Sequence, residues 1–357
     1  MSAEHIVLGL MGAFAALGAL DRILGSRFGL GNEFEEGILA MGSLGMAMLG
    51  IISLAPVLAG LLKPVIVPLF SALGADPAMF AGTILACDMG AGSLAMELTD
   101  SRDAALLGGV ITGSMLGATL VFTLPVAMGI LREEDRPAMA KGILCGIVTI
   151  PLGILAGGLT AGFAPMMVLR NLIPIVIIGG LIALGLWKAE NAMVRGFAAF
   201  GKGVVALVTA ALGAAILEEL AGITLIPGLA PLSEGFQTVG AIAIVLAGAF
   251  PLVAVITKLL RRPLLALGGR LGIGDTGAAG LIASLANSIA ALNLVKDMNY
   301  RGKVVNIAFA VSAAFVFGDH LGFTAGFAPE MLLPMILGKL TGGIGAIALA
   351  LLLTKEQ

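Results

Sequence analysis

The sequence predicts an all-α polytopic membrane protein: two inverted repeats, each of four spans and one re-entrant helical hairpin, joined by a central span. Three observations carry that expectation. Apolar stretches long enough to cross a bilayer recur along the chain, two short apolar segments are broken by polar residues at matching places in the two halves, and the halves share colinear residues. Hydrophobic residues make up 59% of 357 and charged residues 12%, with a mean hydropathy of +1.09. A soluble core of this size has no use for so much apolar surface.

A crossing helix takes about 20 apolar residues. Nine stretches qualify: 3–20, 36–62, 104–131, 138–163, 165–187, 193–217, 236–260, 303–327 and 331–354. The broken segments are 77–98, interrupted at Cys87-Asp88-Met89-Gly90, and 278–295, interrupted at Asn287-Ser288. Polar centres of this kind fit hairpins that dip in and return, because irregular backbone at membrane depth must be shielded by protein. Of the 20 basic residues, all but Lys63, Arg102, Arg170 and Lys339 fall in the segments 21–35, 131–141, 188–202, 257–270, 296–303 and the C-terminal tail. By the positive-inside rule those segments are cytoplasmic, which gives N-out, C-in and an odd number of spans. The opening MSAEHIVLGLMG has neither the basic start nor the cleavage site of a secretory signal, so the first span is expected to remain.

The repeat is read from the matches. At an offset of 195 residues AALGA 15–19 meets AALGA 210–214, Pro56 meets Pro251, Lys63 meets Lys258 and Pro68 meets Pro263; at 198, Gly82 meets Gly280 and Ser114 meets Ser312. The units are 1–164, with hairpin 77–98, and 193–357, with hairpin 278–295; residues 165–192 link them. Four spans plus one linking span is an odd displacement, so the second unit is inverted. Inverted repeats with discontinuous helices are a transporter architecture whose site lies near the midplane. Gly109, Gly113 and Gly117, with Gly153/Gly157 and Gly338/Gly342, have the spacing of close helix packing.

Ionisable groups in hydrocarbon are costly and mark function. Asp88 at the first break, Asn287 with Ser284 and Ser288 at the second, and the adjacent Asp319 and His320 are therefore candidate substrate-binding residues, joined by Thr83 and Glu97 on the arms of the first hairpin. A carboxylate beside half-helix C-termini suits an organic cation. Asp319 and His320 are also readable as a proton relay, and the packing alternatives are that Asp88 and Asn287 are helix caps and that Asp319–His320 is a buried pair. Glu97 is also readable as solvated, and Glu35 and Glu36 suit a helix N-terminus. Cys87 and Cys145 read as small buried hydrophobes, and no metal or cofactor is expected. Gly272-Ile273-Gly274-Asp275-Thr276-Gly277 fits a dinucleotide fingerprint, but it opens a membrane hairpin instead of following a strand, so it reads as a turn. No catalytic motif indicates an enzyme, and nothing indicates nucleic-acid binding. The lipid bilayer is the expected surround, and oligomeric state stays open, a homo-oligomer included.

Phe34-Glu35-Glu36-Gly37, Leu54-Ala55-Pro56-Val57-Leu58, Phe80-Ala81-Gly82-Thr83 leading to Leu85-Ala86-Cys87-Asp88-Met89-Gly90, and Ser312-Ala313-Ala314-Phe315 leading to Gly318-Asp319-His320-Leu321-Gly322-Phe323 resemble the ethanolamine permease family of ethanolamine-utilisation operons (the EutH family). The resemblance runs from Asp21 to Leu340 and implies a multi-pass bacterial inner-membrane protein moving ethanolamine inward for catabolism. It departs in shorter loops near 163–168 and 218–235, and at Ser288, where a second Asn is expected. Protonated ethanolamine offers an ammonium for Asp88 or Asp319 and a hydroxyl for Asn287, Ser284 or Ser288. With so few aromatic residues, an aromatic cage for the cation is not expected. The alternatives are a channel-like pore for small amines and a membrane sensor or scaffold for the catabolic machinery; the coupling ion, a proton included, is left open.

Overall fold

The computed structural model describes residues 3–354, so Lys355, counted above with the cytoplasmic bases, lies outside the described residues. Those residues are helical with no strand among them. Eight helices are long and apolar enough to cross a membrane: His5–Ile23, Leu30–Ala72, Arg102–Ile130, Glu133–Thr160, Pro165–Ala189, Asn191–Ala221, Leu232–Leu259 and Pro329–Leu353. Ala189 leaves helical geometry (φ −146°, ψ 47°) and separates the two spans on either side of it. The helix Leu30–Ala72 is 43 residues long. At about 1.5 Å per residue it reaches roughly 65 Å, twice the hydrocarbon thickness, so it runs beyond the expected span 36–62.

The remaining expected span, 303–327, is not one helix. Tyr300–Ala313 ends, residues 314–318 unwind, and Asp319–Phe327 resumes. Phe315 sits in the left-handed region at φ 61°. The unwound stretch is held by the second broken segment: Phe315 N donates to the Ser284 carbonyl (3.0 Å) and Phe317 N to the Leu285 carbonyl (2.8 Å). A side chain at Gly318 would strike the Ala286 carbonyl. Hydrophobicity alone did not reveal this break, because 314–318 contains no proline and a single glycine.

Both broken segments are interrupted helices. The first comprises Ala78–Ile84, a tight turn Cys87–Met89 closed by left-handed Gly90 (φ 92°), and Ala91–Leu98. Its base is tied by Asp76, whose carboxylate accepts from Ala78 N and Thr99 Oγ1, both at 2.8 Å. The second comprises Gly274–Ala286 and Ser288–Leu294, parted at extended Asn287. Gly272 and Gly274, of the fingerprint-like run, have φ 70° and 72° and form the turn into this hairpin.

The span Arg102–Ile130 is almost wholly buried and holds the first hairpin. Over Leu107–Gly117 and Thr119–Thr123 it takes the wider π form, a rare geometry that collects at functional sites. Its glycines are contact points, as their spacing suggested: Gly109 meets Gly92 and Ala91, Gly113 meets Ala91 and Cys87, and Gly117 meets the Leu85 carbonyl. Gly153, Gly157, Gly338 and Gly342 likewise bring Arg136–Thr160 against Leu332–Leu353. At the end of that layer Lys303 pairs with buried Asp135. Lys303→Met is expected to lower stability by about 3–5 kcal/mol by leaving a buried charge unpaired. Thermal unfolding in detergent checks this, with Lys303→Met together with Asp135→Leu recovering most of the loss.

Candidate functional site

Three irregular pieces of backbone meet inside the bundle: the first hairpin's turn, the π helix, and the unwound 314–318 segment. Between them lies a cavity of about 40 Å³ lined by Ala86, Asp88, Met89, Ala118, Phe122, Phe315, Asp319 and His320. A water needs about 10–15 Å³, so the space takes roughly three or four water-sized groups.

The sequence brings Asp88 here because Gly90 closes the turn that presents it. Asp88 is not a helix cap: among the described residues its Oδ1 is buried without a hydrogen-bond partner and lies 3.6 Å from His320 Nε2. His320 is buried beside Phe315, ring centroids 5.2 Å apart. Behind it stands Lys339, whose Nζ is 3.0 Å from His320 Nδ1 and donates to the Ser114 carbonyl of the π helix. Lys339 is 1% exposed. Sequence reasoning noted Lys339 only as a base outside the cytoplasmic segments; its place in the middle of an apolar span was the signal that it belongs to the site.

Asp319 lines this cavity and also a larger one of about 410 Å³, shared with Glu33, Glu36, Phe250, Thr257, Lys258, Asn287 and Phe317. The two spaces thus meet at one carboxylate. Glu36, assigned above to a helix end, lines the larger space. Asn287 lies in that vestibule, and it is a cap: Oδ1 accepts from Ile289 N at 2.8 Å. The Ser284 and Ser288 hydroxyls are buried without partners among the described residues, as is that of Ser312. Thr83 and Glu97 stand apart. Thr83 Oγ1 donates to the Phe80 carbonyl and faces an apolar recess, and Glu97 is exposed at the end of its half-helix. The cavity wall does hold two of the few aromatic residues, Phe122 and Phe315, which pack edge to face at 5.5 Å. Cys87 is buried as expected, but not isolated: its Sγ lies within 4.8 Å of the ligand atoms of Asp88 and His320. Such a trio has metal-ligand spacing, while the Lys339 ammonium directly behind His320 opposes a dication.

Eight apolar helices long enough to cross a bilayer, around a small cavity lined by charged residues that adjoins a wider one at Asp319, define a polytopic membrane protein. The family model for ethanolamine utilisation protein EutH matches residues 3–353, and the chain belongs to that family. It is 56% identical to the probable ethanolamine permease EutH of Listeria monocytogenes serotype 1/2a, across the whole chain and 96% of that relative. It is 44% identical to the probable ethanolamine permease EutH of Escherichia coli K12 over 395 aligned positions, covering the whole chain and 97% of that relative. It is also 49% identical to the uncharacterized protein YxeR of Bacillus subtilis 168, across the whole chain and 96% of that relative. Both EutH relatives are described as permeases, a transport role and not an enzymatic one. No solved structure matches the chain.

A charge-assisted hydrogen bond contributes about 1.5–3 kcal/mol. Asp88→Asn is accordingly expected to weaken binding of a small primary ammonium by roughly 10- to 150-fold. Calorimetric titration of the detergent-solubilised protein measures it, and unchanged affinity removes Asp88 from the site.

Proposed function

We propose that this chain carries protonated ethanolamine inward across the bacterial inner membrane, by alternating access around the two broken segments. The observation that carries the reading is the cavity itself. It has room for a molecule of about four heavy atoms, two carboxylates for an ammonium, and an imidazole beside them. The names of the EutH relatives point to the same substrate. The ammonium pairs with Asp88 and Asp319, and the wall formed by Phe122 and Phe315 limits what else fits and adds cation–π attraction. Asn287, Ser284 and Ser288 then belong to the release route on the vestibule side and not to the first contact.

The inverted repeat fits this reading. At the 198-residue offset Gly117 corresponds to Phe315, and each is the point where its own half's hairpin break crosses the span: Leu85 at Gly117, Ser284 at Phe315. With the basic segments cytoplasmic, the vestibule mouth near Glu33, Glu36 and Lys258 faces inward. The conformation is then an inward-open carrier with a closed outer half.

Uptake of labelled ethanolamine into proteoliposomes at about pH 6 tests the proposal, since roughly one part in 10⁴ of a primary amine is neutral there. Flux above that of empty vesicles, with saturation and counterflow, is expected; flux equal to empty vesicles sinks the reading, and flux without counterflow makes it a pore. Phe122→Ala enlarges the cavity and should let N-methylated ethanolamines compete at least tenfold better, measured by inhibition of the labelled uptake.

A further inference from the structure

We infer that Lys339 is a built-in co-cation: its ammonium, shared with His320, stands where a metal co-ion would otherwise be needed and lets the emptied carrier return. The inference rests on the permease reading. Its ground is the bonding around Nζ. A lysine ammonium has three donors and no acceptor, so His320 Nδ1, 3.0 Å away, must offer its lone pair whenever Lys339 is charged. The ring proton then sits on Nε2, the atom that faces Asp88 Oδ1. A doubly protonated imidazole would turn Nδ1–H toward the ammonium, and Lys339 would have to give up its proton. The two residues therefore hold one excess proton between them.

The groups facing this pair are Cys87 and Asp88 from the first hairpin, Asp319 across the cavity, and the Ser114 carbonyl from the π helix. On the side of Arg136–Thr160 the neighbour of Gly338 is Gly153, which brings no charge. Two carboxylates and one shared proton leave the empty site at −1, and a bound ammonium brings it to neutrality. Without Lys339 the same states carry −2 and −1. The Born cost of a buried charge grows with its square, so losing the lysine burdens the return of the empty carrier more than the movement of the loaded one.

The test compares exchange with net uptake in proteoliposomes. Exchange is read as labelled ethanolamine entering vesicles preloaded with unlabelled ethanolamine, and net uptake as label entering unloaded vesicles, each in Na⁺ and in K⁺ medium. The wild type is expected to take up ethanolamine equally in both media. Lys339→Gln should keep exchange within a few-fold while net uptake falls at least tenfold further, and Lys339→Arg, which keeps the charge, should restore part of the net uptake. Equal loss of exchange and net uptake in Lys339→Gln, or net uptake left unchanged, overturns the inference. So does a Na⁺ requirement of the wild type, an arm that needs no variant and decides the matter if the glutamine protein does not fold. A wild type that does not exchange at all removes the permease reading itself.

Discussion

In hydrocarbon no backbone N–H or C=O can be left without a partner, and the arrangement of this molecule follows from that constraint. Wherever a helix is broken, the freed groups must bond to another piece of protein at the same depth. Phe315 and Phe317 solve this by donating to Ser284 and Leu285, so the break at 314–318 and the break at Asn287 exist only as a pair. The first hairpin solves it within its own turn, Met89 N bonding to Ala86 and Gly90 N to Cys87, and then presses against a helix whose glycines let backbone meet backbone. The irregular backbone of this shielded centre places Asp88 in a turn and Asp319 with His320 at the start of a half-helix.

Much of the fold was legible because membrane insertion writes itself into composition. Eight helices long and apolar enough to cross follow from apolar length alone, and both helix breaks were marked by Asp88 and Asn287, residues too costly for lipid to be there without reason. The stretch 303–327 misled because Ala313 to Gly318 is as apolar as its surroundings; its break is held by Ser284, Leu285 and Ala286, contacts that no local pattern contains. The site was legible to the same extent. Asp88, Asp319 and His320 do converge, as polar residues in apolar runs should. Thr83 and Glu97 do not, because nearness in sequence to Asp88 says nothing about which side of a short helix faces the cavity. Lys339 and Phe122 were not picked out, for a shared reason: composition shows how many aromatics or bases a chain has, not where tertiary packing concentrates them.

The centre is also where the charges are most tightly coupled. Lys339, His320 and Asp88 come from three separate elements, and Ser114 anchors the row to a fourth. A row of this kind turns a change in protonation or occupancy at one end into a changed hydrogen bond at the other, because a donor-only ammonium fixes the tautomer of the imidazole beside it.

Asp319 supplies the remaining step. It heads a half-helix, whose N-terminal end favours a carboxylate, and it borders both the small cavity and the wider one, with Phe315 lining the first and Phe317 the second. The backbone between those phenylalanines is secured to the second hairpin by two hydrogen bonds, each of which contributes about 0.5–1.5 kcal/mol net. For the carrier proposed above, a slide of 314–318 against 284–286 is the motion that would join the two spaces. On the permease reading, the weak joint and the shared carboxylate coincide because the cation must keep a carboxylate partner throughout its passage, and Asp319 is the residue that both spaces can offer it.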